Sequence, residues 1–499
     1  MKSIIERYKF ESILVFFIIS YILFFSWLTI FRYQNLQSHY YDLGIMDQTV
    51  YNTSQGRILE LTSKDSLETI KRMSIHNDIL LAALAPFYHI HTGPETLLVL
   101  QTIVLALGAI PLYLLALRVT KSKLFALIVS SCYLLYPPLE RSNIYDFHII
   151  TFATTFLLFA FFFAYVKRYI ISFIFILLAL STKENVGLTT MLMGGYIVAE
   201  ATKLQIKNYK LKIERSHEKI FKKQIIFGIS VALISLLWFI LSFWVIIPSF
   251  REGQNSHFAV ERYQALGDSP GSILKGIFTK PDAFFKQVIS SQSLEYFITL
   301  FSPLAFLSLF GIPFLLIATP DFVINILSND SNMRNIFFHY TALLTPFIFI
   351  SAIFGANFLV TKFKIPIKYL AMLLICAALI SASKKGPLPF SAEKENIKPI
   401  STLEKKALKM WRQKLNDENI IVTSTGHLAP LFTQREVFYL FSDRYQSSDY
   451  VLVRQDGLDS YPDPEYNIKV YEKLKNDKNF SLIYNEAQLE VYKRINSKL

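Results

Sequence analysis

The chain has 499 residues, of which 52% are hydrophobic and 15% aromatic but only 18% charged. Its mean hydropathy of +0.35 excludes an ordinary soluble protein and indicates a polytopic membrane protein. The net charge of +13 does not indicate a nucleic-acid partner, because the basic residues stand in short clusters between apolar runs. The two cysteines, Cys132 and Cys376, lie in separate apolar runs and predict neither a disulfide framework nor a thiolate metal site.

The first apolar run extends from Ile13 to Phe31 and contains no charged residue. It is long enough to cross about 30 Å of hydrocarbon as a helix. A signal peptide would have a shorter apolar core followed by a cleavage site of small residues, so we expect a retained first span. Further apolar runs bring the prediction to eleven spans; they cover residues 94–117, 123–139, 149–166, 169–181, 186–199, 225–248, 295–310, 311–328, 336–360 and 367–383.

The basic connections between these runs predict the orientation in the plasma (inner) membrane. With Lys2, Arg7 and Lys9 in the cytoplasm, all basic connections become cytoplasmic; these are Arg118–Lys123, Lys167–Arg168, Lys203–Lys223 and Lys362–Lys368. This parity requires a hairpin of two spans over residues 295–328, with a tight turn at 311–313. It places outside the segments 32–93, 140–148, 182–185, 249–294 and 329–335 and everything after Lys384.

The tail has a different character from the rest of the chain. From about residue 384, charged helical stretches alternate with the β-rich runs "IIVTS", "VFYLF", "YVLV" and "LEVYKR". This alternation predicts a small α/β domain that folds by itself. We therefore expect an α-helical membrane domain over residues 1–383 and a soluble extracytoplasmic α/β domain over residues 384–499.

Two carboxylates follow the first span in the stretch "HYYDLGIMDQTVYN", residues 39–52. Leu43, Met46 and Val50 share a helical face, which predicts a helix along the membrane surface. Asp42 stands at its start, where it can be a helix cap or a functional group. Asp47 falls on the face that should be buried, where an unpaired carboxylate costs several kcal/mol, so it needs a partner or a function.

Other ionisable residues also gather at span boundaries on the predicted outer side. They are His76, Asp78, His89, His91, Glu95, Glu140, Arg141, Asp146, His148, Lys183, Glu184, Arg334 and His339, with Tyr340 beside the last. Any one of them could be an interfacial anchor, but together they favour a cavity at the membrane surface. No HExxH or Cys/His spacing supports zinc at the first three histidines. The lack of P-loop, GxGxxG and GxSxG motifs argues against nucleotide-driven transport and hydrolysis.

An ordered set of segments resembles a prokaryotic membrane-protein family, domain of unknown function 2079. The set comprises "YYDLGIMDQTVYN", "HNDILLAALAPFYHIHTGPETLLVLQ", "IYDFH", "STKENVGL", "FFHYTALLTPFIF" and "VTSTGHLAPLFTQREVFYLF". Asp78 and Ile79 depart from the Ser-Pro expected after the family histidine at His76. The family is similar in layout to the GT-C glycosyltransferases, multispan enzymes that take a sugar from a polyprenyl-phosphate carrier on the outer face of the membrane.

The resemblance implies a role for each candidate residue. In GT-C enzymes an acidic residue just after the first span is the catalytic base, and Asp42 occupies the matching place. The supporting or acceptor-binding candidates are Asp47, His76, Asp146, His148 and Glu184, and the candidates for the donor phosphate are Arg334, His339, Tyr340, Lys183 and Arg141. A divalent cation, Mg²⁺ or Mn²⁺, with Asp42 and Asp47 as ligands stays open.

The predicted function is transfer of a sugar from a polyprenyl-phosphate donor to an acceptor on the outer face. The expected partners are membrane lipid and the lipid-linked donor. The alternatives are a secondary transporter, which would place ionisable groups near the bilayer midplane, and a non-catalytic factor for export or assembly of surface polymers. The sequence leaves the sugar, the acceptor and the oligomeric state undetermined.

Overall fold

The computed structural model describes residues 8–210, 218–251, 258–459, 461 and 463–495. Lys2, Arg7 and the middle of the predicted cytoplasmic loop 203–223 lie outside the described residues. The described chain is mostly helical, with a small sheet near its C-terminal end.

The α-helices are numbered in chain order. They are α1 (Lys9–Gln34), α2 (Ile45–Ser54), α3 (Ala85–Tyr88), α4 (Pro94–Leu107), α5 (Ala109–Thr120), α6 (Lys123–Leu134), α7 (Pro137–Ile144), α8 (Thr151–Tyr165), α9 (Tyr169–Leu180), α10 (Val186–Lys210), α11 (Glu218–Leu241), α12 (Ile247–Phe250), α13 (Pro270–Thr279), α14 (Pro281–Val288), α15 (Ser291–Phe301), α16 (Ile312–Leu315), α17 (Thr319–Leu327), α18 (Leu344–Phe363), α19 (Ile367–Lys385), α20 (Thr402–Lys414) and α21 (Pro464–Asn476). The strands are β1 (Glu60–Thr62), β2 (Thr69–Lys71), β3 (Val422–Ser424), β4 (Phe438–Leu440), β5 (Tyr450–Arg454), β6 (Phe480–Glu486) and β7 (Leu489–Arg494).

Six helical segments of the described chain are long and apolar enough to cross a membrane. They are Lys9–Gln34, Pro94–Thr120, Ile220–Phe250, Leu307–Leu327, Leu344–Phe363 and Ile367–Lys385. Helices α8 and α9 are apolar but have only 15 and 12 residues, short of the roughly 20 that a perpendicular span needs. The prediction of a polytopic helical protein is therefore confirmed, while the count of eleven spans and the orientation stay predictions.

The contacts within the chain define two compact units, and neither follows the predicted boundary at residues 383 and 384. The first comprises Met1–Phe25, Gln101–Tyr145 and Ile149–Glu395, and the second comprises Ser26–Leu100, Asp146–His148 and Asn396–Leu499. Whether residue 384 is also where the chain finally leaves the membrane stays a prediction.

In the first unit, the predicted turn at residues 311–313 is wrong. The break in the helical path lies at Ala305 and Phe306, which have left-handed φ angles of 50° and 58°. Gly311 instead lies against α18, where a Cβ would come within 2.3 Å of the carbonyl oxygen of Ser351. Glycine is therefore required at residue 311 by a close approach of two backbones, and it does not mark a turn.

The second unit contains a five-stranded sheet with the strand order β4-β3-β5-β7-β6. Strand β3 pairs in parallel with both β4 and β5, and β7 pairs antiparallel with β5 and β6. All four predicted β-rich runs are strands, so the small α/β fold of the tail is confirmed, and β6 was missed. A separate antiparallel pair, β1 and β2, lies in the segment between α2 and α3.

The sheet has a hydrophobic core on each face because the side chains of its strands alternate in direction. On one face, Val451 and Val453 pack with Val470 and Leu474 of α21. On the other face, Leu452 belongs to a cluster that also contains Trp411 of α20. That second cluster includes residues from the segment after α1, namely Leu36, Tyr40, Ile45 and Leu61. The tail therefore shares its core with residues 36–61, which a sequence pattern confined to the tail could not reveal.

Candidate active site

Asp42 lies in a five-residue π-helical turn, Tyr40–Gly44, that leads directly into α2. The cap of this turn is His39, whose Nδ1 accepts a hydrogen bond of 3.3 Å from the backbone N–H of Tyr41. The alternative in which Asp42 caps the helix is therefore not realised. Single π-helical turns are frequent at functional sites, since they change the direction in which one side chain projects.

The carboxylate of Asp42 contacts a histidine that lies far away in the sequence. Its Oδ1 is 3.1 Å from Nε2 of His148, and an ionised Asp42 accepts a hydrogen bond from that nitrogen. His148 is buried, with 8% of its side chain exposed, whereas Asp42 keeps 22% exposed. Asp42 is therefore held by a buried partner while remaining accessible, as a base that must meet a substrate requires.

Asp146 is the third member of this group, which we call the Asp42 cluster: Asp42, Asp146 and His148. Its Oδ2 accepts a hydrogen bond of 3.0 Å from the backbone N–H of His39. Burial, together with the negative charge of Asp42, raises the pKa of Asp146 to about 7. Its backbone has a φ of 83°, a region that non-glycine residues rarely adopt and that Asp and Asn tolerate best. The sequence predicted all three members of the cluster.

Two further histidines lie beside the cluster. The rings of His39 and His427 are 5.0 Å apart, and Nδ1 of His427 is 3.0 Å from the carbonyl oxygen of Ser38, to which it donates. Burial, followed by the influence of His427, lowers the pKa of His39 to about 4, so this ring is neutral near pH 7. His427 comes from the tail segment "TGH" and was not among the predicted site residues.

Asp47 is buried, and three side chains donate hydrogen bonds to its carboxylate. Its Oδ1 accepts from the hydroxyl of Tyr88 at 2.6 Å, and its Oδ2 accepts from Thr433 at 2.7 Å and Gln434 at 2.6 Å. Burial raises the pKa of Asp47 to about 6 even though these hydrogen bonds oppose the shift. This carboxylate links α2 and α3 to the tail, and its contacts favour a structural role.

Arg141 belongs to the first unit, and its guanidinium contacts other protein groups. It donates to the carbonyl oxygens of Lys385 at 3.1 Å and Gly386 at 3.1 Å, and its Nη1 lies 3.3 Å from a carboxylate oxygen of Glu395. Only 1% of its side chain is exposed. These contacts fix the C-terminal end of α19 and favour a structural role over phosphate binding.

Lys183 and Glu184 lie in the loop between α9 and α10, close to a carboxylate that the sequence analysis missed. This is Asp321 of α17, which accepts from Asn185 at 2.7 Å and from the hydroxyl of Thr189. Lys183 is partly exposed and acts electrostatically on Asp321, while Glu184 is buried. A carboxylate within a candidate span is a signal that the sequence carried and that could have been noticed.

Arg334, His339 and Tyr340 lie in the segment between α17 and α18. Arg334 donates to the carbonyl oxygens of Ile326 and Ser328, both at 2.7 Å, and remains partly exposed. The ring of His339 lies 4.4 Å from that of Tyr340, and the guanidinium of Arg262 is 5.7 Å from the latter. Arg262, which comes from residues 258–263, therefore lies beside this segment, and the sequence analysis did not name it.

Residues 32–488 match the family model described as a predicted membrane protein, DUF2079. The chain belongs to the DUF2079 family. No curated protein matches it. Among solved structures it is similar to the crystal structure of ArnT from Cupriavidus metallidurans bound to undecaprenyl phosphate, with a TM-score of 0.49 and 9% sequence identity. The alignment covers 96% of this chain and 98% of the ArnT chain.

In this DUF2079 protein, Asp78 and Ile79 replace the expected Ser-Pro, and Asp78 makes a contact of its own. Asp78 forms a buried ion pair with Arg72, in which Nη2 lies 2.8 Å and Nε 2.9 Å from Oδ2. This pair fixes the segment that carries His76, which is itself partly buried. The pair was not predicted, because Arg72 lies before the segment, starting at His76, that carries the family resemblance.

The described part of this DUF2079 protein contains no group of three or more His, Cys, Asp or Glu side chains placed to hold a metal ion. Asp47, one of the two carboxylates considered as ligands, directs both oxygens at protein donors. Divalent cation binding at Asp42 stays a prediction, and the arrangement does not favour Asp47 as its second ligand.

Proposed function

We propose that this DUF2079 protein is a membrane glycosyltransferase that transfers a sugar from a polyprenyl-phosphate donor to an acceptor on the outer face of the membrane. The observation that carries the proposal is the state of Asp42: a partly exposed carboxylate, held by buried His148, that does not cap the adjoining helix. It stands just after the first candidate span, where GT-C enzymes carry their catalytic base.

In the proposed reaction, Asp42 accepts the proton of the acceptor hydroxyl as that oxygen attacks the anomeric carbon of the donor sugar. The bond between the anomeric carbon and the phosphate oxygen breaks, and the lipid phosphate leaves with the bonding electrons. The hydrogen bond from His148 orients the carboxylate that accepts this proton. Asp146 retains its proton below about pH 7, which limits the negative charge in the cluster.

The leaving phosphate needs cations close to it. We propose Lys183 and Arg334 for this role, with His339 and Tyr340 as further contacts, because these side chains are all partly exposed. Glu184 and His76 remain proposed supporting residues. Arg141 is omitted because carbonyl and carboxylate oxygens of the protein already contact its guanidinium. A divalent cation would supply further charge neutralisation when bound.

The proposal places the protein in the plasma (inner) membrane with the N-terminus in the cytoplasm and the tail outside. Its support is the positive charge of the connections that this orientation makes cytoplasmic, among them Arg118–Lys123 and Lys362–Lys368. The Asp42 cluster then lies on the outer side, where a lipid-linked sugar is presented.

A secondary transporter is the second candidate, and Asp321 is the observation that favours it. A buried carboxylate within a candidate span is a common feature of ion-coupled transport. However, Asp321 accepts hydrogen bonds from Asn185 and Thr189, which is sufficient to explain its burial. We therefore prefer the enzyme, whose candidate base is accessible.

The test is a single-turnover assay with purified protein in lipid nanodiscs and radiolabelled polyprenyl-phosphate sugars. Transfer of label to a membrane extract or a purified envelope glycan supports the proposal. Accumulation of a solute in proteoliposomes, with no transfer from any donor, would favour the transporter.

A further inference from the structure

The topology of the small sheet creates a crevice at the carboxyl ends of its parallel strands. The chain runs from β3 to β4, which pairs with one side of β3, and then crosses to β5, which pairs with the other side; all three strands are parallel. The loops that leave the carboxyl ends of β3 and β5 therefore diverge. In open α/β sheets, ligands bind in the crevice at such a switch point.

A cavity of about 700 Å³ lies at this crevice, entirely within the second unit. His427 lines it from the loop after β3, and Arg454 lines it from the last residue of β5. Other walls come from Arg32 near the end of α1, Lys398 in the segment before α20, and Gln488 in the β6–β7 hairpin. The volume falls within the range of about 300 to 1,000 Å³ that is usual for small-ligand sites.

The lining of the cavity carries charges of both signs. Arg454 is mostly buried, with Nε 2.7 Å from Oε1 of Glu404, and it also pairs with Asp456. Arg32 and Lys398 add positive charge, and Gln488 adds an amide. The two carboxylates in the lining disfavour binding of a simple anion, and the basic side chains disfavour binding of a simple cation. A hydroxyl-rich ligand fits both, because each hydroxyl can donate to a carboxylate or accept from a guanidinium.

The cavity is adjacent to the Asp42 cluster. His427 lines the cavity with its ring 5.0 Å from the ring of His39. The backbone N–H of His39 in turn donates to Asp146, and Asp42 lies in the turn that His39 caps. His427 and His39 therefore connect the lining of the cavity to the turn that carries the candidate base.

We infer that this cavity, lined by Arg32, Lys398, Glu404, His427, Arg454 and Gln488, binds a carbohydrate, and that this carbohydrate is the acceptor of the transfer reaction. The second half of the inference rests on the proposed function; the binding site does not. The acceptor is thus a glycan, and its binding site is formed by the tail together with the end of α1 and the residues that follow it.

The test uses the full chain in phosphatidylcholine nanodiscs, applied to an array of bacterial surface glycans. Lys398→Trp introduces a bulky ring at an exposed, non-helical wall residue, and Lys394→Trp is the matched control outside the cavity. Gln488→Ala removes one amide from the wall, with Asn485→Ala as its control in the same hairpin. We expect binding to at least one glycan, reduced about tenfold or more by Lys398→Trp and less by Gln488→Ala, with both controls at the wild-type level.

Absence of glycan binding, or equal binding by Lys398→Trp and Lys394→Trp, would overturn the inference. Dihexanoyl phosphatidylglycerol serves as the second probe, and if it alone binds in a manner sensitive to Lys398→Trp, the cavity holds a lipid headgroup and the inference fails. Glycan binding without sugar transfer from any donor would defeat the proposed function and the acceptor assignment but leave the binding site. If the protein transfers sugar but Lys398→Trp leaves the KM for the acceptor unchanged, the inference fails and the proposed function stands.

Discussion

Nε2 of His148 lies 3.1 Å from Oδ1 of Asp42, across 106 residues of sequence. Buried His148 thereby fixes a carboxylate that is itself partly exposed. The contact makes His148 a positioning residue for the proposed base. Removing its side chain should therefore slow the chemical step.

His148→Ala should lower kcat by about 10- to 100-fold, since a hydrogen bond to a charged group is worth about 1.5–3 kcal/mol. The KM for the donor should change little. His148→Gln should recover part of the rate, because its amide nitrogen can occupy the place of Nε2. Steady-state kinetics of the two variants check this, and a wild-type kcat in His148→Ala would contradict it.

Asp47→Asn should reduce stability and leave the rate per folded molecule unchanged. The amide has one acceptor oxygen where the carboxylate has two, so a donor among Tyr88, Thr433 and Gln434 loses its partner. A buried donor left unsatisfied costs about 1–3 kcal/mol. Thermal melts measure this, with Asp65→Asn, a mostly exposed carboxylate, as the control. A stable but inactive Asp47→Asn would instead assign Asp47 to the reaction.

Asp146 should make the protein less stable as the pH rises. Its pKa is raised from 3.8 to about 7 in the folded state, so between these values the folded protein holds a proton that the unfolded chain has lost. Stability therefore falls from about pH 4 to about pH 7. Asp146→Asn, which suits the left-handed backbone, should remove this contribution. Melting temperatures at several pH values check it, and parallel pH profiles of wild type and variant would refute it.

Residues 396–499 expressed alone should fold poorly, because one face of the sheet is completed by Leu36, Tyr40, Ile45 and Leu61. Their absence removes part of the hydrophobic cluster that also contains Val422, Leu452 and Val491. A fusion that adds residues 26–100 to the tail should melt more cooperatively than the tail alone. Circular dichroism of the two proteins gives the comparison, and an equally cooperative melt of the short fragment would contradict the shared core.

The sequence was sufficient to predict features that depend on local pattern. Apolar length predicted the helical membrane protein, and alternation predicted β3, β4, β5 and β7. Strand β6 was missed because its segment "FSLIYNE" is half polar and lies at the sheet edge, with most of its side chains exposed. The shared core was missed because it joins residues more than 300 positions apart, which no local pattern encodes.

In the candidate site, the sequence was sufficient to select residues but not to predict their contacts. Asp42, Asp146 and His148 were predicted from their places at span boundaries, and their mutual contacts became visible only in the fold. The cap assigned to Asp42 was the alternative that failed, because the chain inserts a π-helical turn that begins after His39. Arg141 appeared suited to phosphate binding since sequence shows a charge but not the carbonyl oxygens around it.

The measurement that tests the central claim most directly is the rate of sugar transfer by Asp42→Asn, determined together with its melting temperature. Asn is nearly isosteric with Asp, and the helix cap belongs to His39, so folding should be unaffected. The amide cannot accept the acceptor's proton, so the account predicts a loss of about 10² to 10⁴ in rate at an unchanged melting temperature. Near-normal transfer by folded Asp42→Asn would contradict it.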